Sequence, residues 1–447
     1  MPKIVILNNR AEYPTGIGLD SMEAIAKTAA RHFWLVEAGD IVLAPTVIDS
    51  DFMGYVGKMR GFNERSIRYV TTGRILRDDV LTAPDTIAHL HRLMATEDDW
   101  ALMPCFMTEG VAVLSEALGI ASLSGEGFAA QRGGDLFNRK SHFRQMAAGI
   151  GMPIPRGALV HDRAGLARVI PRHTAATGAF IIKRDNSAGG FGNIVGTRGP
   201  SVPLPGARET IPLGEDVAGF SDSVWSKVAE GEKSTVVVEE YHPATHIFYF
   251  EFLIDDQGRP GFLDSGDVRM ELDDDAAAKS MVWEGLDIPA ILPPYSLVLA
   301  SGWALRFAQL AAAVGYRGYL NIDGILTAGG DILFNEVNAR WGGGFVLHRI
   351  AEALIGPRYA DAVCISSLRN IPVIDVMPFV GLLERTSLAW SRDRGEGVVL
   401  VTADGRESDT MECLVIAKTR SRARELEAAL KLEATAFPGS ARRSTTT

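Results

Sequence analysis

The chain has 447 residues, enough for about three domains or subdomains, and 47% of them are hydrophobic and 22% charged, as in soluble globular proteins. Its net charge of −10 at pH 7 disfavours nonspecific binding to nucleic acid and provides no attraction to anionic membranes. Cys105, Cys364 and Cys413 stand far apart without metal-ligand spacing, so neither a disulfide framework nor a zinc site is indicated.

The start of the sequence, Met-Pro-Lys-Ile, lacks the pattern of a secretory signal peptide. The most apolar predicted helix, residues 296–314, contains Arg306 and is expected to be too interrupted to span a bilayer. These features predict a cytoplasmic enzyme or binding protein without a membrane or nucleic-acid partner.

Short apolar runs alternate with helical patterns over the first 125 residues. Such alternation predicts an open α/β layer. A helix is predicted at residues 20–31, with Asp20 or Ser21 as its N-cap. The predicted strands are residues 3–7, 41–44, 67–70 and 101–103.

A second region begins near residue 133 with a helix that ends at about residue 148. Strands are predicted at residues 179–183, 234–239 and 247–254, and residues 198–215, rich in Pro, Gly and Arg, are expected to form an insertion or mobile loop.

A polar, glycine-rich loop at residues 186–193 follows the strand that ends in Lys183. Glycines let a backbone approach a phosphate closely, and a lysine at the end of a rigid strand can pair with that anion. Taken alone, such a loop is more often an ordinary hairpin turn, and a lysine near a helix start, such as Lys140, usually faces solvent. Glu239 and Glu240 could form either a solvated turn or a hinge that reads an adenine edge.

The acidic segment at residues 264–275 has two interpretations. Charge runs generally face water, so a solvated loop is one. In the other, Asp264 or Asp267 meets a cationic substrate group while Arg269 pairs with a carboxylate or phosphate.

Two apolar runs joined by a Gly-rich connector, residues 320–326 and 332–340, predict a β-hairpin. Residues two apart on a strand face the same way, so Glu336, Asn338 and Arg340 share a face that Asp323 can oppose. Three oxygen ligands beside an arginine suit Mg²⁺ bound to nucleotide phosphates. Solvated acids in a turn are the alternative, although Asp323 within an apolar run requires a partner.

Beyond residue 372, strands at 397–401 and 412–417 and a helix at 421–431 predict a small α+β module, followed by a disordered tail at residues 440–447.

In this order the elements resemble the ATP-grasp carboxylate–amine ligases over about residues 135–345, and the whole layout is similar to the peptide ligases of the pheganomycin type. The resemblance implies an α/β and α+β architecture with the ATP-grasp fold. Its expected parts are a pre-ATP-grasp α/β domain at residues 1–125, an ATP-grasp domain at 126–371 with a lid at about 152–240, and a C-terminal α+β module at 372–447.

The resemblance also implies the roles of individual residues. Arg340 and Lys183 would be catalytic, and Asp323, Glu336 and Asn338 would hold two Mg²⁺ ions. Asp264, Asp267 and Arg269 are the substrate candidates. The residues expected to bind ATP are Lys140, Lys183, Ser187, Gly189, Gly190, Gly192, Glu239, Glu240, Tyr241 and, at the ribose, His246.

By the same resemblance, the reaction would convert a carboxylate, that of a guanidino-bearing nonproteinogenic amino acid, into an acyl phosphate and join it to the amino group of a peptide, releasing ADP and phosphate. A phosphotransferase on the same fold and a nucleotide-binding regulatory protein without turnover are the alternatives. Relatives of this kind are compatible with a homodimer.

Overall fold

The computed structural model describes the chain except for residues 10–28, 95–98, 122–123, 188–191, 230, 232–233, 274–279, 373–374, 404–409 and 437–447. Most of the helix predicted at residues 20–31, the glycines Gly189 and Gly190, and the predicted disordered tail therefore lie outside the described residues. Residues 29–30 are helical and lead into the 3₁₀ helix Arg31–Leu35.

The N-terminal sheet has four parallel strands in the order β3-β2-β1-β4. Three of its strands are mostly apolar, because helices cover both faces of a parallel sheet, whereas the edge strand at residues 68–71 is Arg-Tyr-Val-Thr. The predicted open α/β layer is confirmed. The strands are β1 (Lys3–Ile6), β2 (Ile41–Ala44), β3 (Arg68–Thr71) and β4 (Ala101–Pro104), and the helices are α1 (Ser50–Arg60), α2 (Asp78–Leu81), α3 (Pro84–Met94) and α4 (Glu109–Leu118), with a 3₁₀ turn at Glu64–Ser66.

Three short helices, α5 (Gly125–Ala129), α6 (Gly133–Asn138) and α7 (Lys140–Gly149), lead to a five-stranded sheet of order β5-β9-β6-β7-β8. Two helices, α8 (Arg163–Thr177) and α9 (Val217–Val228), pack on it around Leu166 and Trp225. Its strands are β5 (Gly157–Val160), β6 (Ala179–Arg184), β7 (Asn193–Thr197), β8 (Glu209–Pro212) and β9 (Val236–Glu240).

The third sheet has eight strands in the order β14-β13-β10-β11-β12-β15-β17-β16. Its strands are β10 (Ala244–Ile254), β11 (Pro260–Asp273), β12 (Ser280–Ile288), β13 (Gly318–Thr327), β14 (Ile332–Asn338), β15 (Cys364–Pro372), β16 (Gly397–Ala403) and β17 (Thr410–Ala417). Its helices are α10 (Pro294–Ala313), α11 (Phe345–Leu354), α12 (Val376–Arg385) and α13 (Arg420–Ala436), with a 3₁₀ turn at Tyr359–Asp361.

Three features of the fold differ from what the sequence indicates. Residues 264–273, for which one interpretation of the sequence was a solvated loop, lie in strand β11 and pair with β10 and β12. The expected insertion at residues 198–215 contains β8, which pairs with β7 in parallel. The C-terminal strands β16 and β17 extend the eight-stranded sheet through β15 instead of forming a separate one.

Helix α10 is the only helix among the described residues that is long and apolar enough to cross a membrane, judged by length and composition alone. By this criterion, the expectation that Arg306 makes the helix too interrupted to span a bilayer was too strict. In the fold, Ala304, Phe307 and Ala311 are buried in the core formed with β10 and β13. Such burial is what the central helix of a globular core requires.

Candidate active site

A cleft of about 700 Å³ is lined by residues from all three sheets or from the loops after their strands. Asn9 and Cys105 come from beyond the carboxyl ends of β1 and β4, where parallel sheets commonly place ligand contacts. Lys183 comes from the five-stranded sheet, and Asp323 and Arg340 come from the hairpin region of the eight-stranded sheet. The fold thus brings the hairpin and Lys183, 140 residues earlier, to one cavity.

The β13–β14 hairpin forms in the predicted register. Asp323 lies opposite Glu336, and the ladder shifts register immediately after Asp323. Such an irregularity can re-aim side chains. The amide Nδ2 of Asn338 donates to Oδ2 of Asp323 at 3.0 Å. Asp323, Glu336 and Asn338 all line the cleft together with Arg340.

The two carboxyl groups of the hairpin differ in their electrostatics. Burial, and after it the charge of Glu336, raises the pKa of Asp323 well above its usual range. Burial opposes ionisation of Glu336 too, but the Lys140 ammonium, 2.9 Å away, lowers the pKa of Glu336 to about 2. The two pKa values shift in opposite directions because Lys140 stabilises the negative charge of Glu336, and that charge in turn opposes ionisation of Asp323.

The hairpin fits a hard cation by its donor set. Asp323 and Glu336 provide carboxylate oxygens, and Asn338 can provide an amide oxygen, which are ligand types that Mg²⁺ accepts. The described residues contain no cluster of three or more His, Cys, Asp or Glu that could hold a metal ion. Magnesium usually keeps waters and takes phosphate oxygens besides one or two carboxylates. Two carboxylates and an amide therefore suit a metal bound together with a nucleotide, not a closed protein cage.

Lys183, at the end of β6, takes part in a buried ion cluster. Its Nζ lies 2.6 Å from Oε2 of Glu239, and Arg144 on α7 binds the other carboxylate oxygen of Glu239. All three residues are buried. Glu239, expected at the adenine, thus holds two cations in place, and Lys183 and Glu239 still line the cleft. Arg144 was not predicted because only the fold brings α7 against β9.

At the hinge between β9 and β10, the predicted residues Glu240 and Tyr241 line the cleft. Their N–H groups donate to the carbonyls of Arg156 and Ala179 at 2.8 Å and 3.1 Å. His246 is half-buried on β10 and is not among the described residues that line the cleft, whereas His242 is. The Nε2 atom of His242 lies 3.6 Å from the Glu240 carboxylate.

The described ends of the glycine loop lie beside Lys140. The Lys140 ammonium donates to the carbonyl of Ser187 at 2.5 Å, which ties α7 to the loop. Gly192 has a φ of 77°, and a Cβ there would lie 2.9 Å from the side chain of Arg184. Neither Lys140 nor Ser187 is among the described residues lining the cleft, but Lys140 reaches it through Glu336.

Arg340 lies directly after β14 and pairs with the N-terminal domain. It forms an isolated bridge with Phe106, and its guanidinium carbon lies 5.6 Å from the centre of the Phe106 ring. Its Nη1 donates to Oδ1 of Asn138 at 3.1 Å, and the same oxygen accepts from the N–H of Ala339. Asn138 was not predicted, and it fixes the direction of a guanidinium that lines the cleft.

The substrate candidates Asp264, Asp267 and Arg269 are not among the described residues that line the cleft. Asp267 pairs with Arg420 at 2.7 Å, and Arg269 pairs with Glu427 at 2.9 Å. Asp264 accepts from the hydroxyl of Tyr249 at 2.7 Å. Their partners belong to the fold, and this placement does not favour contact with a substrate.

A glycine segment, Gly342–Gly344, follows Arg340 and packs closely on buried side chains. The N–H of Gly342 donates to Oε1 of Glu251 at 2.7 Å, and Oε2 of Glu251 is buried. A Cβ on Gly344 would lie 1.9 Å from the Tyr249 hydroxyl. Glu251, the polar residue beneath this segment, gave no signal in the sequence beyond being a charge inside an apolar strand.

Two family models match parts of the chain. The pre-ATP-grasp domain matches residues 29–120, and the PGM1 C-terminal domain matches residues 379–430. No curated protein matches the chain.

Solved structures resemble nearly the whole chain. Biotin carboxylase from Campylobacter jejuni, as a β-γ-ATP complex, has a TM-score of 0.58 at 14% identity and covers 94% of this chain and 88% of its own. The biotin carboxylase domain dimer of the Hydrogenobacter thermophilus 2-oxoglutarate carboxylase, with MgADP, ADP and bicarbonate, has a TM-score of 0.57 at 13% identity, covering 96% and 89%.

N5-carboxyaminoimidazole synthetase from Staphylococcus aureus, complexed with ADP, has a TM-score of 0.55 at 11% identity and covers 97% of this chain and 98% of its own. The chain has the ATP-grasp fold. In this ATP-grasp fold the matched pre-ATP-grasp region contains β2, β3 and β4, and Cys105, directly after β4, lines the cleft. Identities this low carry the fold and not the activity.

Proposed function

We propose that this protein is an ATP-dependent carboxylate–amine ligase that forms ADP. The observation that carries the proposal is the convergence of Asp323, Glu336 and Asn338 with Lys183 and Arg340 on one cleft. Oxygen ligands and cations at a single cavity suit phosphoryl transfer, which needs positioning and charge neutralisation more than covalent help. Neighbouring folds solved with ATP or ADP complexes support the same ligand.

In the proposed chemistry the substrate carboxylate attacks the γ-phosphorus of ATP, and the bond to the β-phosphate oxygen breaks to release ADP. The amine then attacks the acyl phosphate, loses a proton, and expels inorganic phosphate as the amide forms. Arg340, aligned by Asn138, would stabilise the oxyanion of the second step. Lys183 and Lys140 would bind the α- and β-phosphates, with Ser187, Gly189, Gly190 and Gly192 over the β/γ end.

We propose that two Mg²⁺ ions bind here and that Asp323, Glu336 and Asn338 would hold them. Bound Mg²⁺ would supply neutralisation of the phosphate charge. Two contacts within the protein favour metal binding: Lys140 keeps Glu336 ionised, and Asn338 orients Asp323. At the other end, Glu240, Tyr241 and His242 would contact the nucleoside, and Glu239 would fix Lys183.

The finer proposal concerns the substrates and rests on the resemblance of the whole layout to peptide ligases of the pheganomycin type. It assigns a guanidino amino acid as the acid and a peptide as the amine in a peptide natural product pathway. A homodimer in the cytoplasm belongs to the same proposal, and one similar structure is a domain dimer.

The test is a screen for ADP release across acids and peptide amines, with mass spectrometry of the products. An amide product with one ADP and one phosphate per bond is expected. Formation of AMP and pyrophosphate would refute the acyl-phosphate route. A phosphorylated acid or alcohol formed without any amine-dependent product would identify a phosphotransferase instead.

A further inference from the structure

The segment between β7 and β8 closes the cleft beside the hinge. Residues 205–208 of this segment line the cleft. Two side-chain hydrogen bonds hold the segment in place. Nδ2 of Asn193 donates to the carbonyl of Gly206 at 2.9 Å, and the hydroxyl of Tyr241 donates to the carbonyl of Pro205 at 3.1 Å. The segment is therefore fixed both to the start of β7 and to the hinge.

An apolar slot lies at this end of the cleft. Ile181, Ala207 and Tyr241 belong to one cluster of buried side chains, and all three line the cleft. Apolar side chains suit the face of a purine base, whose polar atoms lie at its edge. A base held in this slot would therefore meet polar groups of the protein at its edge.

Asn193 lies on the face of the sheet that carries this slot. It pairs directly with Lys183 on β6, and Ile181 lies two residues before Lys183. Directly paired residues of antiparallel strands project from the same face of a sheet, and so do residues two apart on a strand. Asn193, Lys183 and Ile181 all line the cleft. The Asn193 side chain is thus a neighbour of both the proposed phosphate ligand Lys183 and the apolar slot.

The amide of Asn193 provides a buried hydrogen-bond acceptor. The carbonyl of Gly206 can only accept, so the NH₂ group of Asn193 must face it, and this fixes the position of Oδ1. Asn193 is only 8% exposed, and no donor among the described residues reaches Oδ1. A buried acceptor without a donor is unfavourable, and a ligand that supplies the donor removes that cost.

We propose that Asn193 selects the base of the nucleotide by accepting a hydrogen bond at Oδ1 from the exocyclic amino group of adenine. The proposal rests on the proposed function and adds to it the residue that decides the nucleotide class. Adenine carries an amino donor at position 6 of the purine, whereas hypoxanthine and guanine carry an oxygen there. With those bases two acceptors would face each other, so the site rejects inosine and guanosine nucleotides.

The hinge N–H groups do not provide the same selection. Those of Glu240 and Tyr241 already donate to the carbonyls of Arg156 and Ala179. An N–H group also cannot accept a hydrogen bond from an amino group. Selection for the amino group requires an acceptor, and Oδ1 of Asn193 is a buried acceptor beside the slot.

The test is calorimetric titration of the full chain with the Mg²⁺ complexes of ADP and of purine riboside diphosphate, which has hydrogen in place of the amino group of ADP. The unmodified chain should bind ADP about 10-fold more tightly, a difference of about 1.4 kcal/mol. That difference lies within the range for pairing a buried acceptor. Inosine diphosphate should bind more weakly than ADP by at least the same factor.

Asn193→Leu removes the acceptor at nearly constant side-chain size, and the preference for ADP over purine riboside diphosphate should disappear. Because this variant also loses the bond to Gly206, Tyr241→Phe is the control for loosening the segment. It removes the bond to Pro205 and should keep the 10-fold preference, whatever its effect on both affinities. Asn63→Leu, at an exposed turn, should bind both nucleotides as the unmodified chain does.

Three outcomes would overturn the proposal. They are equal binding of the two nucleotides by the unmodified chain, a preference for ADP that persists in Asn193→Leu, and no nucleotide binding at millimolar concentration. Asn193→Ala replaces the leucine variant if that variant does not fold, with the same expected loss of preference.

This proposal and the proposed function fail separately. The expected nucleotide preference in a protein that releases no ADP would refute the ligase and leave the selection by Asn193. Amide formation driven equally well by ATP and by purine riboside triphosphate would refute the selection and leave the ligase.

Discussion

Acidic side chains cluster in two regions of this protein, and the two clusters differ in the positive groups with which they pair. At the hairpin, Asp323 and Glu336 line the cleft, and Glu336 pairs with Lys140. Between β12, β15 and α13, Glu427 pairs with Arg269 at 2.9 Å and with Arg424 at 2.7 Å, away from the cleft. Charges that face a cavity remain available to a ligand, whereas charges closed among protein partners hold elements together.

Glu336→Gln is the variant whose effects on turnover and stability should distinguish the two regions most clearly. Because Glu336 is a proposed ligand of Mg²⁺, loss of its carboxylate should reduce amine-dependent ADP release by about 10²- to 10³-fold, since the phosphate charge of the transition state would lose part of its neutralisation. Thermal stability should change little. The measurement is a coupled ADP assay with a substrate pair from the screen, beside circular dichroism on heating.

Asp331→Asn, in the exposed turn of the same hairpin, is the control for removing one negative charge. Normal turnover by Glu336→Gln, or an equal loss in Asp331→Asn, would contradict the role of the hairpin.

Glu427→Leu should have the opposite profile. It takes from Arg269 and Arg424 one of the two buried carboxylates that they share, Asp287 being the other, and removing one partner of a buried ion pair costs about 3 kcal/mol of unfolding free energy. Turnover of the folded protein should be retained. Urea unfolding measures the loss.

The matched control is Glu425→Leu, two residues away on α13, whose partner Arg422 is exposed. An exposed ion pair contributes about 0–1 kcal/mol. Equal stability losses in the two variants would show that the buried ion pairs of Glu427 contribute no more to stability than an exposed ion pair.

Arg340→Lys tests the hairpin region at Arg340, the cation that we propose is catalytic. A lysine keeps the charge but loses the planar guanidinium that Asn138 aligns. We expect kcat to fall about 10²-fold with a smaller change in KM for ATP. Steady-state kinetics measures both values, and Arg306→Lys, at an exposed position of α10, is the control. An unchanged kcat would remove Arg340 from the oxyanion step.

The smallest effect is expected at Glu251, which belongs to neither region but lies beneath Gly342. Burial, and after it the charge of Asp264, raises the pKa of Glu251 well above its usual range, with Asp323 adding in the same direction. The folded protein therefore keeps a proton that the unfolded chain releases above about pH 4.3. The stability contribution of the neutral carboxyl is complete below that pH and is lost as the pH rises towards the folded pKa.

Glu251→Gln should flatten this dependence by up to about 1.4 kcal/mol per pH unit. Urea unfolding at several values between pH 5 and pH 8 measures it. Glu271→Gln, exposed on β11, should keep the slope of the unmodified chain, and a Glu251→Gln variant with that same slope would refute the buried neutral carboxyl.

Local pattern sufficed for much of the fold and for part of the candidate site. Strands β1, β2 and β4 of the N-terminal domain are mostly apolar runs in the sequence, and the hairpin register follows from the two-residue period of strands. Glu336 and Asn338 could therefore be placed with Asp323 before any coordinates were known. Lys183 was identifiable because a charge ending an apolar strand requires an anion.

What the sequence could not decide is which partner each charge meets. Glu239 was assigned to adenine, but Arg144, 95 residues earlier, and Lys183 enclose it. Arg269 was a substrate candidate until Glu427, 158 residues later, proved to be its partner. Sequence by itself determined many of the elements and the hairpin face, because those depend on neighbours along the chain. Only the tertiary structure separated cleft residues from ion-pair residues, because that depends on contacts between distant segments.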